Sequence, residues 1–546
     1  MTRDLRRLAD TKFDLIVVGA GFYGVTVAWD AAQRGLAVAI IDQDDFGAAT
    51  SFNNLKTLHG GLRSLQSLNF KQMRLFIRER RALARILPHL VRPLPFVVGT
   101  TRNPKRSSLL MRVAFAINDA VARDRNEGLA DPGSHLPGSE IISREEALRL
   151  NPVISPDGVT GGAVWYDYQM ISTDRVTLSF LLSAVDAGAT AANYVKANRF
   201  IREANRVVGV RAEDSLTGNT FDIRGSVVVN CAGPWAASML TDLPQAAQGA
   251  PPPRLSRAMN LVTRKVVNSH ACGGVAGGRY LFMVPWREVS MLGTSHDAYD
   301  GSPDQLKVSR WDLEAFLKDA REAFPHAGLT TSDVRLIHRG LLPMVSGDGH
   351  DVRLLKESQV VDHARHGLPG LVSVFGVRYT TARHTAEQAV DAVFRSLGHA
   401  KPPPCRTAET PLLGGSMNHV DNFLKAVLLR DVAGIGTDTL RRIASTYGTG
   451  YDQVLQNARD VPALARPLGR SCEVLGAEIL YAAQREMALK LGDAVIRRTE
   501  AGAAGHPGTD ALERAAAIMA RAHAWDEWRI RNEVAEVEAF YRLPRD

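Results

Sequence analysis

The chain has 546 residues, room for two or three domains. Apolar residues make up 45% and charged residues 23%, an ordinary balance for a globular enzyme. The formal net charge of +8 is scattered, without the basic-aromatic array of a nucleic-acid binder, and leaves open an anionic lipid, an anionic substrate or simply a basic surface.

Four cysteines (Cys231, Cys272, Cys405 and Cys472) lack C-x-x-C spacing, so no zinc or disulfide framework and no metal site is expected, and reducing cytoplasm is the default. The start, MTRDLRRLADTK, has no apolar signal-peptide core. No apolar run approaches the roughly 20 residues that span a bilayer.

Residues 13–42, FDLIVVGAGFYGVTVAWDAAQRGLAVAIID, predict a strand, a glycine turn, a helix, a second strand and a closing acid. Gly19-Ala20-Gly21-Phe22-Tyr23-Gly24 fits G-x-G-x-x-G. Gly19 allows the tight turn, Gly21 lets backbone approach a pyrophosphate, and Gly24 lets helix pack on strand. Phe22 and Tyr23 open a helix whose free N–H groups face the phosphates. Asp42, with Gln43 beside it, stands where a carboxylate binds ribose hydroxyls.

The following segment, AATSFNNLKTLHGGLRSL at 48–65, does not continue into the alternating helix and strand of a nicotinamide enzyme. A small, polar, glycine-bearing loop suits a large held cofactor whose phosphates and ring lie against backbone, and so favours FAD. Its candidate cofactor contacts are Thr50, Ser51, Lys56, Leu58, His59, Gly60 and Gly61.

Farther on, residues 70–90 predict a long helix, residues 106–122 another, and residues 173–188 a third. Strands follow at 206–212 and 220–229, the latter ending in Ala232-Gly233-Pro234-Trp235, a tight turn suited to the ADP half. Residues 254–300 are strand-rich. Gly376-Val377-Arg378-Tyr379-Thr380-Thr381 then leads into an amphipathic helix, with Thr380 or Thr381 as N-cap. A helix start aimed at a flavin ring stabilises the negative charge that reduction places there. Residues 400–413 are a proline-rich linker, and a helical tail follows.

These pieces together resemble the FAD-dependent glycerol-3-phosphate dehydrogenases, within the D-amino-acid-oxidase-like flavoproteins. The likeness rests on VVGAGFYG, ATS…LKTLHGGLR, VVVNCAGPWA, MVPWREVSMLGTSHDAYDG, LVSVFGVRYTTARHTAE and the tail motifs YGTGYDQVL and WDEWRIRNEVAEVEAFYR, in the family's order over nearly the whole chain. It implies an α/β fold: a two-dinucleotide-type, Rossmann-like FAD-binding domain (1–95, 166–250, 331–400), a mixed antiparallel β-sheet substrate domain (96–165, 251–330) and an all-α C-terminal domain (410–546).

In the substrate site the chain departs from the family pattern. Asn260 stands at the family histidine; the family's G-V-R-P reads Gly340-Leu341-Leu342-Pro343, putting Leu342 at an arginine; Gly-Gly-Lys reads Gly376-Val377-Arg378; the aromatic after H-G-G-L-R is Ser64; and Lys356 replaces another arginine. His59 and Arg63 are kept.

His59 is the first candidate for the base, with His296 and His338 as others. Arg63, Arg378 and Lys356 are the candidates for an anionic group, and Asn260, Leu342 and Ser64 shape the pocket. The resemblance implies oxidation of a secondary alcohol on glycerol 3-phosphate or a related anionic polyol, with electrons passed to quinone or another acceptor. It also implies a homodimer and loose, salt-released contact with the inner face of the membrane. An FAD-dependent amine or amino-acid oxidase, and a weakened flavoprotein with a binding role, stay open as alternatives.

Overall fold

The computed structural model describes residues 1–244, 252–346, 352–430, 432 and 434–545, without the side chains of Arg63, Gln66 and Ser346. The first sheet has eight strands. Lys12–Val18 lies at its centre, parallel to Val38–Ile41 on one side and to Thr220–Asn230 on the other. Leu371–Phe375 extends the parallel run, and Gln359–Asp362 closes that edge antiparallel.

Val18 is in register with both Ile41 and Asn230, so the glycine turn, Asp42 and the Ala232 turn all leave the same carboxyl edge. An open α/β sheet binds its ligand along such an edge. Leu15 and Val17 pack under the helices Phe22–Gln33, Thr173–Asp186 and Ala382–Ser396. Ile16 and Val18, pointing the other way, are covered by the ribbon Val195–Glu203 and Arg206–Asp214.

The second sheet has ten strands and is mostly antiparallel. Its long members are Val91–Thr101, Val159–Met170, Arg254–Arg264, Val289–Tyr299 and Val334–Ser346. One face carries the helix Arg310–Ala323 on Val97, Leu261 and Met283. The other presents Phe96, Val262, Trp286 and Met291 to the C-terminal helices.

The strand Val334–Ser346 pairs along Arg254–Arg264 and so belongs to this second sheet, although the chain reading placed residues 331–400 with the cofactor domain. Thr57–Leu58 likewise pairs with Val159–Met170. Pairing partners far away in the chain, which local periodicity does not encode, decide both cases. Among the described residues the C-terminal part is helical except for one small pairing, Pro467–Gly469 with Cys472–Leu475. The helix Phe70–Ile86 stops short of Leu90, because Leu87 precedes Pro88 and leaves the helical region at φ −137°.

Candidate functional site

Three glycine turns meet at the carboxyl edge of the first sheet. Gly19 has φ +95°, and a Cβ there would lie 2.5 Å from the Cys231 carbonyl oxygen. A Cβ on Gly24 would overlap the carbonyl oxygen of Gly19. Around Gly21 the first atom met is Ser51 Oγ, at 3.0 Å, so the helix start is approachable there. Ser51 Oγ itself accepts from Phe22 N at 2.8 Å.

Asp42 accepts from Ala20 N at 2.6 Å and from Asp44 N at 3.0 Å, which locks the acid to the turn. Burial pushes its carboxyl up to about 7, with the Asp44 and Asp45 charges adding to the rise and the two N–H donors opposing it. Gln43 follows, half-buried, and Gly233 has φ +55° with open space where a side chain would be. Two approachable glycines, a helix start and an anchored acid fit the diphosphate and ribose of a dinucleotide.

Tyr23 joins this turn to the next. Its hydroxyl donates to Arg378 O at 2.7 Å and accepts from Val377 N at 3.1 Å, and its ring leaves no space for a Cβ on Gly376. Phe22 stacks on Tyr379 with ring centroids 3.5 Å apart. The helix Ala382–Ser396 begins here, with Thr380 and Thr381 buried at its start. Thr381 is the N-cap of this helix, as expected, but its hydroxyl makes no capping hydrogen bond.

Other expected cofactor contacts bond to the protein itself. Thr50 is hydrogen-bonded to both backbone groups of Leu341, at 3.2 Å each. Trp235 Nε1 donates to Asp304 at 2.8 Å. Lys56 is fully buried at φ +59°, its Nζ donating to Phe52 O and Thr173 Oγ1, both at 2.8 Å. Burial lowers the Lys56 amine to about 8. Thr50 and Lys56 thus fasten the loop 50–58 to its neighbours. Leu58 is buried between the sheets.

The helix Phe70–Ile86 organises the loop that follows. Gln72, Phe76 and Arg80, spaced i, i+4 and i+8, form one stripe along it. Gln72 accepts from Ser64 Oγ at 3.0 Å and donates to Lys356 O at 2.9 Å. The same Lys356 carbonyl accepts from Arg378 Nη1 at 2.8 Å, and the Arg378 guanidinium lies over the Phe76 ring at 5.1 Å. Ser64, Lys356 and Arg378, picked out separately in the chain, therefore form one cluster around Gln72. Lys356 joins it by backbone, its side chain being exposed.

Arg80 ends the stripe. It pairs with buried Asp167, which also accepts from Gly60 N at 2.6 Å and meets His59 Nδ1 at 3.2 Å. The His59 side chain is 51% exposed, so its ring borders solvent, with Nε2 at 3.1 Å from Thr57 Oγ1. Gly61, at φ +79°, runs so close to Phe76 that a Cβ would sit 2.8 Å from the ring. The buried pair Glu79–Arg383, at 2.7 Å, ties this helix to Ala382–Ser396.

Asn260 and Leu342 lie on neighbouring strands of the second sheet. Asn260 is buried beside Gly293, where Leu55 also packs, and accepts from Thr294 Oγ1 at 2.7 Å. Leu342 faces Ser256 in register, half-buried. Of the rival bases, His338 is buried against Phe52, where burial holds it well below the usual histidine range, and His296 lies 3.5 Å from Ser256. His338 meets the loop 48–65 from outside, its Nδ1 3.4 Å from Asn54 O, whereas His59 belongs to that loop and faces Asp167. The Arg63 side chain lies outside the described residues. Gln72, Arg80 and Asp167 escaped the chain reading, because a helix stripe and a single acid in a strand carry no motif; a buried acid between Tyr166 and Tyr168 was the one available signal.

This fold and crevice define an FAD-dependent oxidoreductase, and residues 14–391 match the family model described as FAD dependent oxidoreductase. Residues 405–530 match the C-terminal domain of alpha-glycerophosphate oxidase. Glycerol-3-phosphate dehydrogenase 2 of Mycobacterium tuberculosis is 30% identical over 539 residues, spanning 98% of this chain and 89% of that one. The glycerol-3-phosphate dehydrogenase of Synechocystis sp. is 28% identical, over 91% of this chain and 90% of that one.

In fold, the chain is similar to the glycerol-3-phosphate dehydrogenase of Bacillus halodurans complexed with FAD, with TM-score 0.73 and 24% identity over 98% of this chain and 95% of that one. The chain belongs to the FAD-dependent glycerol-3-phosphate dehydrogenases, and FAD is its cofactor.

Proposed function

We propose that the chain oxidises the secondary alcohol of glycerol 3-phosphate or a related anionic polyol derivative. The observation that carries this is the pairing of His59 with Asp167 on the glycine loop, with the Arg378 cluster on the same stripe of helix. FAD, when bound, would supply the hydride acceptor for the carbinol carbon. Gly21 and Asp42, in the turn that Gly19 and Gly24 shape, would hold its ADP half, and the turn 376–381 would face its ring. Asp167 fixes the His59 ring through Nδ1 and opposes the charge it gains, leaving Nε2 to take the hydroxyl proton. Arg378, braced by Lys356 O and Phe76, supplies the cation for the anionic group.

Arg378→Ala is therefore expected to raise KM about ten- to a hundredfold, the loss of one charge-assisted contact, with flavin absorbance unchanged. Steady-state kinetics on the purified yellow enzyme check it, and an unchanged KM removes Arg378 from the site. Ketone formation without ammonia separates this reading from amine or amino-acid oxidation. Flavin bleaching by substrate separates it from a binding role. With Leu342 and Ser64 in place of an arginine and an aromatic, glycerol 3-phosphate is expected to be a poorer substrate than a bulkier or less charged polyol.

For the acceptor we propose quinone at a membrane surface. No helix among the described residues is long and apolar enough to cross a membrane. The helix Ser108–Val121, however, buries Phe115 while exposing Leu109 (73%), Leu110, Val113 and Ile117. Arg102, Lys105 and Arg112 are exposed beside them, and the turn 62–67 that leads into exposed Leu68 packs on the same helix. Apolar side chains ringed by cations suit an anionic bilayer surface. Such a face alters the salt-released expectation: salt screens the cations and leaves apolar contact intact. In co-sedimentation with vesicles containing anionic lipid, the wild type is expected to stay bound at high salt and Leu109→Glu/Val113→Glu to be released. Equal release of both overturns this placement.

A further inference from the structure

We propose that the helical C-terminal domain retains the cofactor, with Asp45, Arg497 and Arg498 as positioning residues for the ribose-binding turn. Asp45 lies three positions after Asp42 and is buried. Its carboxylate accepts from Arg498 Nη2 at 2.6 Å, Arg498 Nη1 at 2.7 Å, Arg497 Nε at 2.6 Å and Asn193 Nδ2 at 3.0 Å. Two of these donors belong to one guanidinium, the planar fork that fits a carboxylate.

Both arginines are themselves held from the C-terminal side. Arg497 Nη2 donates to Asp493 at 2.7 Å, and Arg498 Nε donates to Glu486 O at 3.0 Å. Asp493 also accepts from Tyr194 Oη at 2.7 Å. The stretch that supplies Asn193 and Tyr194 also holds the backbone of the turn: Val195 N donates to Asp42 O at 2.7 Å, and Tyr194 N to Asp44 O at 3.1 Å. The turn 42–45 is thus held by residues 193–195 and by a buried ionic cluster supplied from more than four hundred positions down the chain.

A buried carboxylate stripped of its arginines is left as an uncompensated charge that destabilises the turn carrying it. The turn must then rearrange, and Asp42, fixed to the same turn through Asp44 N and Ala20 N, moves with it. Holding the ribose acid is therefore a task shared with the C-terminal domain. None of the three residues belongs to the His59 and Arg378 clusters, so the effect falls on cofactor affinity and spares the chemistry.

The test uses full-length protein, stripped of FAD and titrated back. Asp45→Asn and Arg498→Gln are each expected to raise the FAD dissociation constant tenfold or more. The double variant should be no worse than the poorer single, because both break one linkage. The rise in Tm on adding FAD should shrink, while kcat and KM at saturating FAD stay near wild type. Arg442→Gln is the control: it breaks the partly buried Arg442–Glu478 pair, 2.6 Å within the C-terminal domain, and should lower apoprotein Tm with FAD affinity intact. If Arg498→Gln does not fold, Arg497→Lys, which keeps the charge and loses the Nε contact, carries the same expectation. Unchanged FAD affinity in the foldable variants, or an equal loss in Arg442→Gln, overturns the proposal.

Discussion

Gly21→Val is expected to purify colourless, with little flavin absorbance per mole of protein and no FAD released on denaturation. Gly21 is the approachable member of the first turn, and a Cβ there has only Ser51 Oγ nearby, so the variant still folds while branched carbon fills the path of the pyrophosphate. Gly24→Val should behave otherwise. Its side chain would overlap the Gly19 carbonyl, so the loss is expected in folding and yield. Flavin absorbance set beside a thermal melt distinguishes the two, and full FAD occupancy in Gly21→Val would sink the assignment of this turn.

The second large effect belongs to His59. His59→Ala should slow anaerobic flavin reduction by roughly 10²- to 10⁴-fold while shifting substrate binding much less, as for a base acting in the transition state. Asp167→Asn tests how that base is held. An ionised aspartate only accepts, so it requires a proton on His59 Nδ1 and leaves Nε2, 3.1 Å from the Thr57 hydroxyl, as the unprotonated nitrogen. An asparagine amide can donate to Nδ1 instead and move the proton to Nε2. Stopped-flow reduction of Asp167→Asn should therefore be slower by about tenfold or more, about 1.4 kcal/mol of barrier, with FAD still bound. A rate equal to wild type would leave Asp167 as a structural partner of Arg80 and Gly60 N.

The cofactor crevice was legible in the chain because its requirements are local. Gly19, Gly21, Gly24 and Asp42 sit within one strand–helix–strand unit, and each is demanded by backbone geometry at its own position. The substrate side was legible only by resemblance, and then one residue at a time. That Ser64, Lys356 and Arg378 converge depends on Gln72 and on a backbone carbonyl, neither of which any motif marks. Asp167 and Arg80 were invisible for the same reason. Thr50 and Lys56 show what a motif leaves out: in a loop that crosses between domains, a polar side chain also serves the loop's own anchoring. The strand Val334–Ser346 was misplaced because its partner, Arg254–Arg264, is decided by long-range pairing.

The interleaving of the two sheets also sets an order of events during synthesis. The central strand Lys12–Val18 leaves the ribosome first, yet its neighbour Thr220–Asn230 follows some two hundred residues later and Leu371–Phe375 later still. Until then the apolar faces of Leu15, Ile16, Val17 and Val18 have no complete cover. A nascent chain halted before Leu371 should thus be unable to take up FAD and should engage chaperones that shield exposed strands. Cofactor loading becomes a late, nearly post-translational step, and truncation anywhere before the last parallel strand should leave the cell with an aggregation-prone fragment and no smaller working enzyme.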